Sequence, residues 1–349
     1  MIRTVGQVIS HILTYRKRKI LERKLGCKFK ELKQNIVSYT TIKTKDRIRS
    51  SRLFDFGGVN NLGMFVHFSE SGKRIAITKI QKSSLADREV RFLKWQEEYF
   101  KKKLTAQYFE SKKISKTQYS WVSFEPLLSI KRYSNKSIRE LYQSLDVEKK
   151  VLQELSLDRS LQSLVQEIEA DTKIKAILRN VVCDFPSPES ISYLNNFFNE
   201  RKVFFIRHEV EYKKIIKLFS VLQEWEGSKE ISDMYGLVHG DFKKQNIMSS
   251  HAGEYKVIDL QYYTYGIRLW DLAFYYSKCN LTLQYILIDI IPIYSLTEKE
   301  KFVFTLFFSI AASLHLKKRT AIETIDKRIK PAIDYCYDSS CAQILMRKL

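Results

Sequence analysis

The stretch Val238-His239-Gly240-Asp241-Phe242-Lys243-Lys244-Gln245-Asn246-Ile247-Met248, followed by Val257-Ile258-Asp259-Leu260, decides how the rest of the chain is read. Leu237-Val238 is a short apolar run that delivers Asp241 into a loop. Asn246 stands five residues later, where Ile247-Met248 begins a new strand. After a turn at Ser249–Gly253, Asp259 falls near the end of the next apolar strand, Tyr255–Leu260. A hairpin of this length can bring Asn246 and Asp259 side by side, with Asp241 projecting from the same loop region.

These residue types suit phosphoryl transfer. A carboxylate is needed to orient a hydroxyl and accept its proton, and hard oxygen donors are needed for a Mg²⁺ ion that bridges phosphates. Asp241 is the candidate base, and Asn246 with Asp259 is the candidate metal-holding pair.

The pattern His239-Gly240-Asp241-x₄-Asn246 with Ile258-Asp259 resembles the aminoglycoside phosphotransferase and choline kinase-like branch of the protein-kinase-like superfamily. Gly266-x₄-Asp271-Leu272-Ala273 is similar to that branch as well, where a structural Asp at a helix start supports the catalytic loop. The resemblance covers roughly residues 50–320. It implies that Asp241 is the catalytic base, that Asn246 and Asp259 bind Mg²⁺, and that His239 and Asp271 are scaffolding. Lys243 resembles the lysine that neutralises the transferred phosphate in serine/threonine protein kinases; a solvated loop lysine is the alternative. Leu260-Gln261 stands where protein kinases have Phe-Gly, so no protein-kinase activation segment is expected.

Working outward, Arg52–Phe56, Met64–Phe68 and Arg74–Ile80 read as strands, the first two joined by a turn from Gly57 to Gly63. A helix follows, then strand candidates at Gln107–Phe109 and Tyr119–Leu127. By the resemblance, Lys79 on the third strand contacts ATP phosphates and Glu89 on the next helix pairs with it, Glu97 being the other possible partner. Gly57, Gly58 and Gly63 would cover the phosphates, because backbone N–H groups can approach where side chains are absent. Ser123–Leu127 sits at the hinge position, with Glu125 and Leu127 beside the adenine. Residues 137–226 show helical spacing, with Leu141, Leu145, Val151, Leu155, Leu164 and Ile168 among the apolar positions, and 269–349 again reads as helices. The expected fold is α+β and bilobal, protein-kinase-like: a small antiparallel N-lobe at 51–130 and a mainly helical C-lobe at 131–349 with an embedded hairpin.

Residues 1–50 stand apart. The 349-residue chain has 60 Lys+Arg against 39 Asp+Glu, a surplus of 21, and its first fifty residues supply eleven of that surplus. Ile2, Val5, Ile9, Ile12, Leu13, Ile20, Leu21 and Leu25 recur at near-helical spacing beside Arg16–Lys19, Arg23 and Lys24. A basic amphipathic helix of this kind lies on an anionic membrane surface or packs its stripe on the body. Five scattered cysteines without a CxxC pair read as reduced, mostly buried thiols and disfavour zinc. Phe302–Leu316 is shorter than the roughly 20 apolar residues of a membrane span and reads as a core helix. No secretory signal is evident, so a cytoplasmic protein is expected, soluble or peripheral on the inner face of the membrane.

The function expected from these features is ATP- and Mg²⁺-dependent transfer of the γ-phosphate to a hydroxyl of a non-protein acceptor. A sugar or lipid-linked glycan at a membrane surface, reached through residues 1–30, fits the basic surplus. An aminoglycoside is disfavoured because it is polycationic and no acidic cluster is evident in the C-terminal helices; nucleic acid is disfavoured too. The alternatives are a small-molecule kinase of the aminoglycoside or choline type and a pseudokinase adaptor.

Overall fold

The computed structural model describes residues 15–44, 47–54, 61–99, 104–115, 117–130, 133–145, 172–314, 316–317 and 319–346. The chain forms two compact units: residues 1–130 with 248–261, and residues 131–247 with 262–349. The hairpin expected inside the helical lobe therefore groups largely with the sheet-bearing unit.

The first unit is built on a five-stranded antiparallel sheet in the order β1-β2-β3-β5-β4. Its strands are β1 (Ile48–Phe54), β2 (Asn61–Ser69), β3 (Arg74–Lys82), β4 (Tyr108–Lys113) and β5 (Tyr119–Phe124). Side chains alternate between faces along a strand, and here both faces are used. Phe65, Ile80 and Trp121 pack against Leu21 and Leu25 of helix α1 (15–25) and against Leu32 and Ile36 of helix α2 (Phe29–Thr44). Helix α3 (Ser83–Tyr99) follows β3 directly and packs on β3, β4 and β5. Residues 15–44 are therefore part of the sheet's core, a role not evident when 1–50 is read as an appendage. The apolar positions before residue 15 lie outside the described residues.

A polar chain runs beneath α2. Ser51 Oγ is 2.7 Å from His67 Nδ1, His67 Nε2 is 2.8 Å from Thr78 Oγ1, and Thr78 contacts Ser123, which bonds Thr40 of α2 at 3.0 Å. Burial, with a smaller push from Lys33, lowers His67 to about 4, so the ring is neutral near pH 7.

Gly63, expected in the turn, lies within β2 instead. A Cβ there would meet Leu53 Cδ1 at 3.1 Å and Leu21 Cδ1 at 3.6 Å, so its missing side chain makes room for helix α1. Gly57 and Gly58 lie outside the described residues. The first unit is completed by a three-stranded sheet of β6 (Leu128–Ser129), β8 (Ile247–Ser249) and β9 (Tyr255–Val257), in the order β6-β8-β9.

The second unit is mainly helical, with one antiparallel pair, β7 (Tyr235–Val238) and β10 (Thr264–Ile267), in which Gly236 faces Gly266. Helix α4 (Asn135–Ser144) opens the unit; the periodicity expected over 151–168 lies outside the described residues. Helices α5 (Pro188–Asn199) and α6 (Glu209–Leu222) pack on one another. Helix α7 (Leu269–Ser277) is buried on every side, as its nearly continuous apolar sequence requires. Trp270 of α7 stacks on Phe274 at 5.5 Å and meets Phe307 of helix α8 (Glu298–Ser313) edge-on at 6.0 Å. Helix α8 starts with a capping box between Thr297 and Glu300. It is the apolar stretch read as a core helix, and no described helix is long and apolar enough to cross a membrane.

Candidate active site

The first unit assembles Lys79, Glu89 and Asp259. β3 faces α3 with its odd-numbered residues, so Lys79 and Gln81 point toward the helix that supplies Glu89. Lys79 Nζ lies 3.3 Å from Glu89 Oε2 and 2.5 Å from Asp259 Oδ1, and Gln81 Nε2 donates to Glu89 Oε2 at 2.7 Å. Lys79 and Glu89 are both buried. Burial alone would lower the Lys79 ammonium, but the Asp259 and Glu89 carboxylates outweigh it and hold its pKa above the usual lysine value. Glu97 is exposed and takes no part. Asp259 follows β9 and adopts a left-handed backbone, φ 66°, which is uncommon for a non-glycine residue. Glu125 and Leu127 follow β5. The Glu125 N–H donates to the Gln107 carbonyl at 2.9 Å, and Leu127 is buried.

The second unit assembles Asp241, Lys243 and Asn246. β7 ends at Val238, and the chain turns at Gly240 with φ 84°. A Cβ at Gly240 would lie 2.7 Å from the Tyr262 carbonyl oxygen and 2.9 Å from Leu178 Cδ1. Only glycine suits both the conformation and the space. Asp271, in the first turn of α7, accepts the backbone N–H of His239 at 2.6 Å and of Gly240 at 3.0 Å. Burial pushes its carboxyl up to about 7, against the downward pull of these two bonds. Trp270 Nε1 donates to the Gly240 carbonyl at 3.4 Å, and the Asp241 N–H donates to His239 Nδ1 at 3.3 Å.

The loop so fixed holds Asp241 in one orientation. Its Oδ2 accepts from Lys243 Nζ at 2.6 Å and from Asn246 Nδ2 at 3.0 Å, and Asn246 Nδ2 also donates to the Asp241 carbonyl at 2.8 Å. Oδ1 of Asp241 is buried and has no hydrogen-bond partner among the described residues. One carboxylate oxygen is thus anchored, and the other is left without a partner among the described residues. The Asn246 amide, tied through its nitrogen, keeps its oxygen as a donor of the kind Mg²⁺ takes. Among the described residues no group of three His, Cys, Asp or Glu side chains could hold a metal ion on its own.

Two supporting residues carry no sequence signal that singles them out. Tyr133 donates from its hydroxyl to the Lys244 carbonyl at 2.8 Å and so braces the turn that carries Asn246. Gln81 braces Glu89. Both are common residue types far from the motif. Tyr263 is fully buried, which makes it packing rather than acceptor surface.

Comparison with known proteins places residues 195–283, which include Asp241, Asn246, Asp259 and Asp271, in a match to the model of the phosphotransferase enzyme family. No curated protein matches the chain significantly in sequence. Similar solved structures include amicoumacin kinase hAmiN in complex with AMP-PNP, Ca²⁺ and Ami, at 11% identity and TM-score 0.46, covering 89% of this chain and 96% of that one. A choline/ethanolamine kinase family protein from Mesorhizobium loti is 10% identical with TM-score 0.43, covering 90% and 98%. The Plasmodium vivax ethanolamine kinase is 12% identical with TM-score 0.41, covering 86% and 84%. Residues 195–283, which hold the motif and its loop, are thus similar to the phosphotransferase enzyme family.

Proposed function

We propose that the protein transfers the γ-phosphate of ATP, in a Mg²⁺-dependent reaction, to a hydroxyl of a non-protein acceptor. The observation that carries this reading is the Asp241 carboxylate, fixed at Oδ2 by Lys243 and Asn246, with its buried Oδ1 unpartnered among the described residues. In this role Oδ1 orients the acceptor hydroxyl and takes its proton. Lys243 limits the negative charge that builds up beside the base as phosphate arrives. Lys79, held by Glu89, steadies the nucleotide phosphates. Asn246 and Asp259 would each offer an oxygen to Mg²⁺, which would supply charge neutralisation for the nucleotide phosphates. Glu125 and Leu127 would border the adenine, and Gly57, Gly58 and Gly63 would border the phosphates. Gly63 is the weakest of these assignments, since its space is already filled by leucine side chains.

For the acceptor we propose a sugar or lipid-linked glycan met at an anionic membrane surface through residues 1–30. The support is charge: Arg16, Arg18, Lys19, Arg23 and Lys24 stay exposed while Leu21 and Leu25 are committed to the core. The test supplies γ-labelled ATP with soluble sugars and with lipid-linked glycans in anionic vesicles, with and without a chelator. Label should pass to a glycan hydroxyl only with Mg²⁺ present. Label that passes only to protein would overturn the reading.

A further inference from the structure

Helix α7 supports the catalytic loop along its length, and its far end carries cations that the proposed reaction leaves unused. Asp271 near its start holds the loop backbone, and Tyr275 one turn later packs on Phe242 at 5.7 Å. The chain leaves the helix at Lys278, three residues and about one turn after Tyr275, on the face that packs on Phe242 between Asp241 and Lys243. Arg328 reaches the same helix end. Its Nη1 and Nη2 donate to the carbonyls of Ser277 at 2.5 Å and Cys279 at 2.8 Å.

Neither Lys278 nor Arg328 makes a carboxylate ion pair among the described residues. The Lys278 contact that stands out is the face of Phe274, whose ring centre is 4.9 Å from Nζ. Lys278 is exposed as a whole. Lost hydration at its packed side, with Lys243 and Arg328 pushing the same way, nevertheless lowers its pKa below the usual lysine value, and Asp241 opposes them. Among the described residues Asp241 is the one acid whose charge acts on it, against the cations Lys243 and Arg328. A solvent-accessible cation crowded by other cations is the arrangement that a bound anion relieves.

We propose that Lys278, with Arg328 behind it, recognises a negative charge, phosphate or carboxylate, carried by the acceptor molecule near the hydroxyl that Asp241 addresses. The inference rests on the phosphotransferase reading and narrows its substrate class to anionic hydroxyl compounds. A cationic aminosugar would meet like charge at this point.

The test is calorimetric binding of glucose 6-phosphate, glucuronate, glucose and glucosamine to the full chain saturated with AMP-PNP and Mg²⁺. One or both anionic sugars should bind at least tenfold more tightly than glucose, and the two anionic arms separate a phosphate reader from a carboxylate reader. Lys278→Gln should abolish that preference at an unchanged melting temperature, with AMP-PNP affinity unaltered. Anions that bind no better than glucose, or a preference that survives Lys278→Gln, would overturn the proposal. So would a loss confined to AMP-PNP affinity, which would assign Lys278 to the nucleotide. A separate assay of Mg²⁺-dependent phosphate release from ATP checks the underlying reading: its absence with and without every sugar would remove the kinase and leave the binding result to be judged alone.

Discussion

The two clusters to which the proposed chemistry is assigned are held by different means. In the first unit Lys79 sits between Glu89 and Asp259, and long side chains from a strand, a helix and a hairpin meet through charge. In the second, Asp241 is fixed because the backbone beneath it is fixed: Asp271 takes two loop N–H groups and Gly240 fits where no other residue does. Charge pairing tolerates exchange of partners, as the nucleotide lysine of the proposed reaction would need when phosphates arrive. Backbone fixing does not tolerate exchange, as the proposed base would require in order to meet its hydroxyl in a reactive geometry. The first cluster is therefore built to re-pair and the second to stay still.

The largest expected effect attacks the rigid cluster. Gly240→Ala combines a left-handed backbone with an overlap on the Tyr262 carbonyl at 2.7 Å. Together these should cost about 4 kcal/mol in urea unfolding. A loss below about 1 kcal/mol would mean that the loop relaxes and that the contrast is overdrawn.

The next effect probes the support beneath the charge-paired cluster. His67 takes a proton only near pH 4 when folded and near 6.5 when unfolded, so between those values the unfolded chain binds more protons. Its contribution is present above pH 6.5 and is lost as the pH falls toward 4. The loss should reach about 3 kcal/mol by denaturant titration across that window. A His67→Gln variant should flatten the dependence, and an equally steep curve in that variant would move the effect to other groups.

The smallest effect tests re-pairing itself. Glu89→Gln leaves Lys79 with Asp259, so no buried cation is left unpaired and the melting temperature should move by only a few degrees. The KM for ATP should nevertheless rise about tenfold, because the lysine loses the partner that steadies it while phosphates are bound. A collapse of stability instead would show that Glu89 is structural.

The motif around Asp241 was legible because phosphoryl-transfer chemistry demands particular residue types at close sequence spacing. Alternation made the third strand legible, but Lys79 was singled out on it only through the family resemblance; α3 settles its partner, since Glu97 lies eight residues beyond Glu89, about 12 Å further along the helix axis. Other features were hidden for physical reasons. Helix α2 buries only Leu32, Ile36 and Thr40, a stripe three residues long and one of them polar, so its charged faces dominate the sequence. Gly63 looks like part of a turn because a glycine that admits a neighbouring leucine has the same signature as one that admits a bend. Strand β10 is four residues with a glycine inside, and Gly266 is there because the Val182 carbonyl lies 2.4 Å from where its Cβ would be. The Ser51–His67–Thr78 chain joins residues from three strands, which no local spacing records.

The central claim is that Asp241 is a base held in place by the fold rather than a part of what holds the fold. It is tested most directly by Asp241→Asn, with phosphate transfer from ATP, nucleotide affinity and melting temperature measured on one preparation. Turnover should fall about a thousandfold or more, while the other two quantities stay near wild type. Retained turnover, or a fall in melting temperature that accounts for the lost activity, would contradict it.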